Sequence, residues 1–182
     1  MSIRSTIGIE CLDGSIKCVY CYFDGYQAGI GKTLLLNYDS ATKIEKLFDG
    51  GDLYMLGNNV PGLVQGLQVT QPQEGCTLHY RRDRGERATD AKVCASRQEF
   101  VDIAAYNGSE GAFLFNKLGE WLYQKIIWQI KNEPDFMPLK QATIAQLQNL
   151  IYNVPSFNWI PEERRAEYLL DYKAALDLVE AL

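Results

Sequence analysis

From Ile3 onward, apolar and polar residues alternate with a period of two, the pattern of a strand with one buried face. Residues 3–10 and 15–23 read as two such strands joined at Leu12-Asp13-Gly14-Ser15. Asp-Gly between alternating runs predicts a tight hairpin, because Gly accepts the positive φ the turn demands. In the second strand Ile16, Cys18, Tyr20 and Tyr22 share one face, and Lys17, Val19, Cys21 and Phe23 the other. Asp24-Gly25-Tyr26 breaks the period. Lys32 to Tyr38 then reads as a helix with Leu34, Leu35 and Tyr38 clustered. A second short helix is expected from Ser40 or Ala41 to Phe48, with Ile44, Leu47 and Phe48 as its stripe and Gly50-Gly51 as its stop.

Residues 56–75 are rich in Gly and Pro and read as loop, with room for one strand at Leu67 to Thr70. Cys76 to Tyr80 is a short strand that leads into the charged Arg81–Arg87 segment. Ser96-Arg97-Gln98-Glu99 is a capping box opening a helix with Phe100, Ile103 and Ala104, closed by Asn107-Gly108. Ala112 to Phe115 and Glu120 to Ile126 predict a second hairpin around Lys117-Leu118-Gly119. Ile144, Leu147, Ile151 and Val154 space a helix of about four turns. Pro161-Glu162-Glu163 starts the last helix, with Pro at its first position and acids in its first turn. Its stripe is read as Ala166, Leu169, Leu170, Tyr172, Leu176 and Val179. The expected fold is α+β: a small, mostly antiparallel sheet with an N-terminal hairpin and short packed helices over 1–130, then a helical pair over 131–182 packed on that body as one structural domain.

Composition narrows the classes. With 182 residues, 47% of them hydrophobic, the chain buries a core without disulfides or metals. Its net charge of −5 argues against a protein whose main task is gripping nucleic acid. The same charge is too small to imitate a DNA duplex. No signal peptide is evident, and the apolar run at Ile126 to Ile130 is broken by Gln129, so a cytosolic location is expected. Cys11, Cys18, Cys21, Cys76 and Cys94 form an odd set without framework spacing, as reduced thiols do.

Several motifs suggest chemistry and fall short of it. Gly29-Ile30-Gly31-Lys32-Thr33 resembles the end of a phosphate-binding loop, but Tyr26 stands where that pattern needs its first Gly. Cys18-x-x-Cys21 and Cys76-x-x-His79 have zinc-like spacing, yet residues three apart on a regular strand point to opposite faces. His79, the only histidine, is better read as a semi-buried strand residue, and nothing around Cys21 or Cys76 marks an activated thiol. No cofactor, metal or catalytic residue is therefore assigned. Asp24 and Asp83 each sit in turns where Asp commonly bonds nearby backbone. Arg81, Arg82, Arg84 and Arg87 against Asp83 and Glu86 form the densest charge feature. It reads either as a docking loop for nucleic acid or an acidic protein surface, or as a solvated hairpin tip paired with itself. Trp121 reads as core. Tyr152, Phe157 and Trp159 read as a packing hinge or an exposed hot spot, and Trp128 belongs to the same aromatic set.

Arg4-Ser5-Thr6-Ile7, Asp13-Gly14, Tyr20-Cys21-Tyr22-Phe23-Asp24-Gly25-Tyr26, Gly31 with Leu34 and Leu35, Tyr38 and Arg82-Asp83-Arg84-Gly85-Glu86 together resemble a family of small proteins carried by phages, prophages and other bacterial mobile elements. The match spans about the first half of the chain. One branch of that family is similar to type II-A anti-CRISPR proteins, inhibitors of the RNA-guided DNA endonuclease. Where the family often has His-Trp after the Cys, this chain has Tyr22-Phe23, which weakens any metal or acid–base role for the turn. The resemblance implies a non-enzymatic inhibitor that binds the type II effector with its guide RNA in a bacterial cytoplasm. Asp24, Tyr26, Arg81, Arg82, Asp83, Arg84, Glu86 and Arg87 are the expected partner-binding residues, with contact to DNA or RNA open for the arginine segment. Two alternatives stand beside it: a nucleotide-binding anti-defence protein using the Asp24 and Arg84 loops as one pocket, and an inhibitor of another host enzyme.

Overall fold

The alternating N-terminus forms β1 (Ser5–Glu10) and β2 (Ile16–Cys21), paired antiparallel across a turn with Gly14 at φ 94°. Asp13 fixes that turn by accepting hydrogen bonds from the backbone and hydroxyl of Ser15. These elements come from a computed structural model that describes residues 3–59, 75–87, 89–127, 130–131 and 133–182. The strand expected at Leu67 to Thr70, and Trp128 and Gln129, lie outside the described residues.

After β2 a π-helical turn (Gln27–Gly31) runs into α1 (Lys32–Asn37), followed by α2 (Ala41–Phe48) and β3 (Leu53–Met55). Then come β4 (Leu78–His79), α3 (Tyr80–Arg84), β5 (Lys92–Cys94), α4 (Arg97–Tyr106), β6 (Gly111–Phe115) and β7 (Trp121–Lys125). The chain closes with β8 (Met137–Pro138), α5 (Leu139–Asn153) and α6 (Glu162–Glu180). The fold is α+β, with a mostly antiparallel sheet in the order β4-β3-β2-β1-β6-β7-β8 and β5 also paired to β2. Its centre is parallel: β1 runs alongside β6, with Ile7 opposite Phe113.

Both faces of that centre are covered, which is why β6 is buried at every position. On one face Ile7, Val19, Leu53 and Phe113 pack under Leu34 of α1, Leu47 of α2 and Leu139 of α5. On the other, Ile16, Cys18, Ala112 and Leu114 pack under Phe100, Val101 and Ala104 of α4. Gly8 faces α4, where an added Cβ would lie 2.8 Å from the Phe100 ring. A third layer forms where α6 lays Ala175 and Val179 on Ala28 and Leu147. No helix among the described residues is long and apolar enough to cross a membrane.

Three local expectations are corrected. The Arg81–Arg87 segment is no hairpin tip: Tyr80–Arg84 is a helical turn, ended by Gly85 at φ 64° with Glu86 N–H donating to the Tyr80 carbonyl. Pro161 precedes the last helix as its cap residue instead of opening it. The inward face of α6 is Tyr168, Leu169, Tyr172, Ala175, Leu176 and Val179, while Ala166 and Leu170 are exposed. Met137–Pro138 pairs with β7 as the last strand of the sheet.

Gly8→Ala should destabilise the fold by roughly 1–3 kcal/mol, because Phe100 is fully buried and has nowhere to move. A lower urea midpoint with an unchanged m-value is the expected readout.

Candidate functional site

The motif-bearing segments are organised by the turn after β2. Asp24 is the only non-glycine described residue with positive φ, at 57°. Gly25 N–H donates to the Ile3 carbonyl at 2.9 Å, and a Cβ at Gly25 would lie 2.5 Å from the Arg4 carbonyl carbon. Only glycine allows the two backbones to approach this closely. The Asp24 carbonyl then accepts from Tyr26 N–H (2.7 Å) and Ile30 N–H (3.0 Å), winding the chain into the π-helical turn.

That winding settles what the Gly29–Thr33 stretch can do. The N–H groups of Gly29 and Gly31 donate to the Tyr26 carbonyl, and Ala28 N–H donates to Gln146 Oε1. With Ile30 N–H on the Asp24 carbonyl, these four amides are occupied by protein acceptors. A phosphate-binding loop needs such amides free to face the ligand.

On one side of the turn, Asp24 and Tyr26 line a cleft of about 330 Å³ against α6, with Lys32, Thr33, Tyr168 and Asp171. Asp24 stays open to solvent, yet surrounding protein removes enough water to raise its carboxyl pKa. Burial pushes the Tyr26 phenol up to about 12, and the nearby charges of Asp24, Tyr172 and Tyr168 add to the shift. Arg84 does not line this cleft, so the Asp24 and Arg84 loops do not make one pocket.

On the other side lies an aromatic–arginine array. Tyr22 and Tyr54 stack with ring centres 5.8 Å apart, and Phe23 sets its edge against both. Tyr80 meets Tyr54 edge-on. The Arg84 guanidinium lies 4.0 Å above the Tyr54 ring, and that of Arg4 lies 5.7 Å above Tyr22. Glu86 also pairs with Arg84 at 2.5 Å.

The rest of the arginine segment divides between structure and surface. Arg82 holds Asp83 through both Nε and Nη2, each at 2.7 Å, and reaches the Thr77 carbonyl. Asp83 in turn accepts the His79 N–H at 2.7 Å. Burial raises the Asp83 carboxyl, but the Arg82 and His79 hydrogen bonds outweigh it and bring its pKa below the usual value. Arg81, Glu86 and Arg87 are exposed, and Arg81 pairs with Asp90 at the surface. Arg82 and Asp83 thus hold the segment to the fold through these bonds.

His79 is fully buried, where semi-burial was expected. Its Nε2 donates to the Leu47 carbonyl at 2.8 Å, which fixes the tautomer because a carbonyl only accepts. Nδ1 has no hydrogen bond and sits 3.5 Å from Asp83 Oδ2. Burial lowers the ring's pKa and keeps it neutral at pH 7, against the opposing pull of the Leu47 bond. Cys18 and Cys21 occupy opposite cores, with Cys18 Sγ 3.6 Å from that of Cys94. Among the described residues no group of three or more His, Cys, Asp or Glu is placed to hold a metal. Trp121 is core and donates to the Tyr38 carbonyl at 2.7 Å, whereas Tyr152 and Trp159 are exposed.

Sequence reading had pointed to Asp24, Tyr26 and Arg84 but missed Arg4, Tyr54, Tyr80, Lys32, Tyr168 and Asp171 as their neighbours. The usable signal was Tyr20 and Tyr22 on one strand face; nothing local reveals Tyr54 or the two α6 residues. Comparison with known proteins gives no match: none among family models, curated proteins or solved structures.

Two outcomes follow. A carboxyl whose pKa is raised by folding costs stability once ionised, so Asp24→Asn should raise the melting temperature at pH 7 by roughly 1–3 °C, Asn being at home at positive φ. A histidine whose pKa is lowered by folding contributes stability that is complete above about pH 6.5 and is lost as pH falls toward the depressed value. Because His79 is the only histidine, urea midpoints should fall between pH 7.5 and 5.5.

Proposed function

We propose that this protein acts by binding and not by catalysis, as a mobile-element inhibitor of the type II CRISPR effector nuclease. The observation that carries the reading is a convergence. Tyr22 and Phe23 of the aromatic-Asp-Gly-Tyr turn and Arg84 of the Arg-Asp-Arg-Gly-Glu segment meet around Tyr54, and Arg4 of the Arg-Ser hairpin joins them over the Tyr22 ring. Three of the stretches that carry the family resemblance, up to 80 residues apart, thus meet in one array.

Guanidinium groups seated on tyrosine rings are the side-chain chemistry of binding hot spots, with forks that fit carboxylates and phosphates. A second supporting feature is α6, whose Glu162, Glu163, Glu167, Asp171, Asp177 and Glu180 are all exposed. Such an acidic face complements the positively charged channel in which an RNA-guided nuclease holds its heteroduplex. Inhibition would then be competition for that channel or for the surface beside it, with the arginine array fixing orientation.

The test is DNA cleavage by a purified type II effector with guide RNA, with and without the protein in molar excess. Loss of cleavage that extra guide RNA does not restore is expected. The variant Arg4→Glu with Arg84→Glu should weaken inhibition at least tenfold while melting near the wild type. Arg82 is unsuited to this role, since its reversal would break the Asp83 clamp. Unchanged inhibition by the double variant would remove the array from the mechanism. Full cleavage with several effectors would refute the reading itself.

A further inference from the structure

We propose that the cleft between the Asp24–Thr33 segment and α6 is a binding site for a small organic cation, an alkylguanidinium or alkylammonium group on a short apolar stem. This inference does not draw on the arginine array of the nuclease reading, and shares with that reading only Asp171 of the acidic α6 face.

The cleft has about 330 Å³ of space, at the lower end of the range for small-molecule sites. Its walls are aromatic. Tyr168 and Tyr172, one helical turn apart on α6, lie nearly parallel with ring centres 6.2 Å apart, and Tyr26 lines the same space. Leu56, Leu147 and Ala175 add apolar lining, which suits methylene groups. Aromatic walls around a charged group are how proteins commonly hold alkylated ammonium and guanidinium ions.

The charge balance gives the sign of the ligand. Asp24 and Asp171 both line the cleft, and neither carboxylate has a hydrogen-bond or ion-pair partner among the described residues. Lys32 is the single cation in the lining and pairs with neither of them within ion-pair distance. The lining is therefore net negative. The Asp24 carboxylate is also held against the cost of partial desolvation with no compensating charge, a cost that a bound cation would offset. For an anion only Lys32 is on offer, since the amides of Ala28, Gly29, Ile30 and Gly31 already donate to protein acceptors.

The probe is agmatine, a guanidinium joined by a four-carbon stem to an ammonium, titrated into the full chain by calorimetry, with inorganic phosphate and ATP as comparison ligands. Saturable binding at or below millimolar concentration is expected. Asp24→Asn should weaken it roughly tenfold and Asp171→Asn at least severalfold, from loss of the attracting charge. Lys32→Ala should tighten it, because it removes the one repelling charge. Asp24→Asn should melt no lower than the wild type, which separates lost binding from lost folding. Absence of saturation, an unchanged affinity in Asp24→Asn, weaker binding in Lys32→Ala, or phosphate or ATP binding in place of agmatine would each overturn the proposal.

Discussion

Everything placed around the two candidate surfaces depends on the backbone approach at Gly25. The chain leaves β2 and four residues later, at Gly25, lies against Ile3 and Arg4, closer than any side chain permits. Asp24 must then take a left-handed conformation, and its carbonyl becomes the shared acceptor that starts the π-helical turn. The consequence is a division of labour across four residues. Tyr22 and Phe23 stay with the array at the sheet's end, while Asp24 and Tyr26 pass to the cleft beside α6. A Cβ at position 25 would push these two surfaces apart together.

The layers behind the turn are arranged to hold it still. The parallel pairing of β1 with β6 puts the first strand in the middle of the sheet, buried on both faces. Leu139 and Ala142 of α5 join the core beneath α1, and Gln146 on the same helix takes the Ala28 amide. Helix α6 then covers α5 and the π-helical turn, with Ala175 and Val179 against Ala28 and Leu147. The cleft is thus the seam between the turn and the outermost helix, the place in such a layered body where space is left with the least cost in buried apolar area.

What was legible in the sequence was local. The hairpin around Asp13-Gly14, α1, α2 and the second hairpin were all readable from period and turn residues, because their hydrogen bonds close within a few positions. Ser96 does accept from Glu99 N–H at 3.2 Å, although the Glu99 side chain reaches Ala95 N–H instead of its own cap residue. The parallel β1–β6 pair was not legible, since nothing in residues 5–10 specifies a partner a hundred positions away. In the arginine segment the expected bond from the Asp83 side chain to nearby backbone is present, from His79 N–H, whereas the Arg82 fork that shares the carboxylate was not legible. On α6 the expected stripe held Tyr172 but not Tyr168, whose place beside the cleft depends on what the π-helical turn presents to it. Of the site, the motif residues were visible and their neighbours were not.

The central position of β1 also governs the order in which the molecule can be built. Strands β1 and β2 can pair as soon as they are made, but the far edge of β1 keeps its amides and carbonyls open until residues 111–115 arrive. Closing a connection that long is entropically costly and slow compared with forming a hairpin. For most of synthesis the protein is therefore a half-sheet with an unpaired apolar edge, and its window of vulnerability to misassembly ends only when β6 docks. The same strand that gives the finished fold its rigidity makes the nascent chain wait.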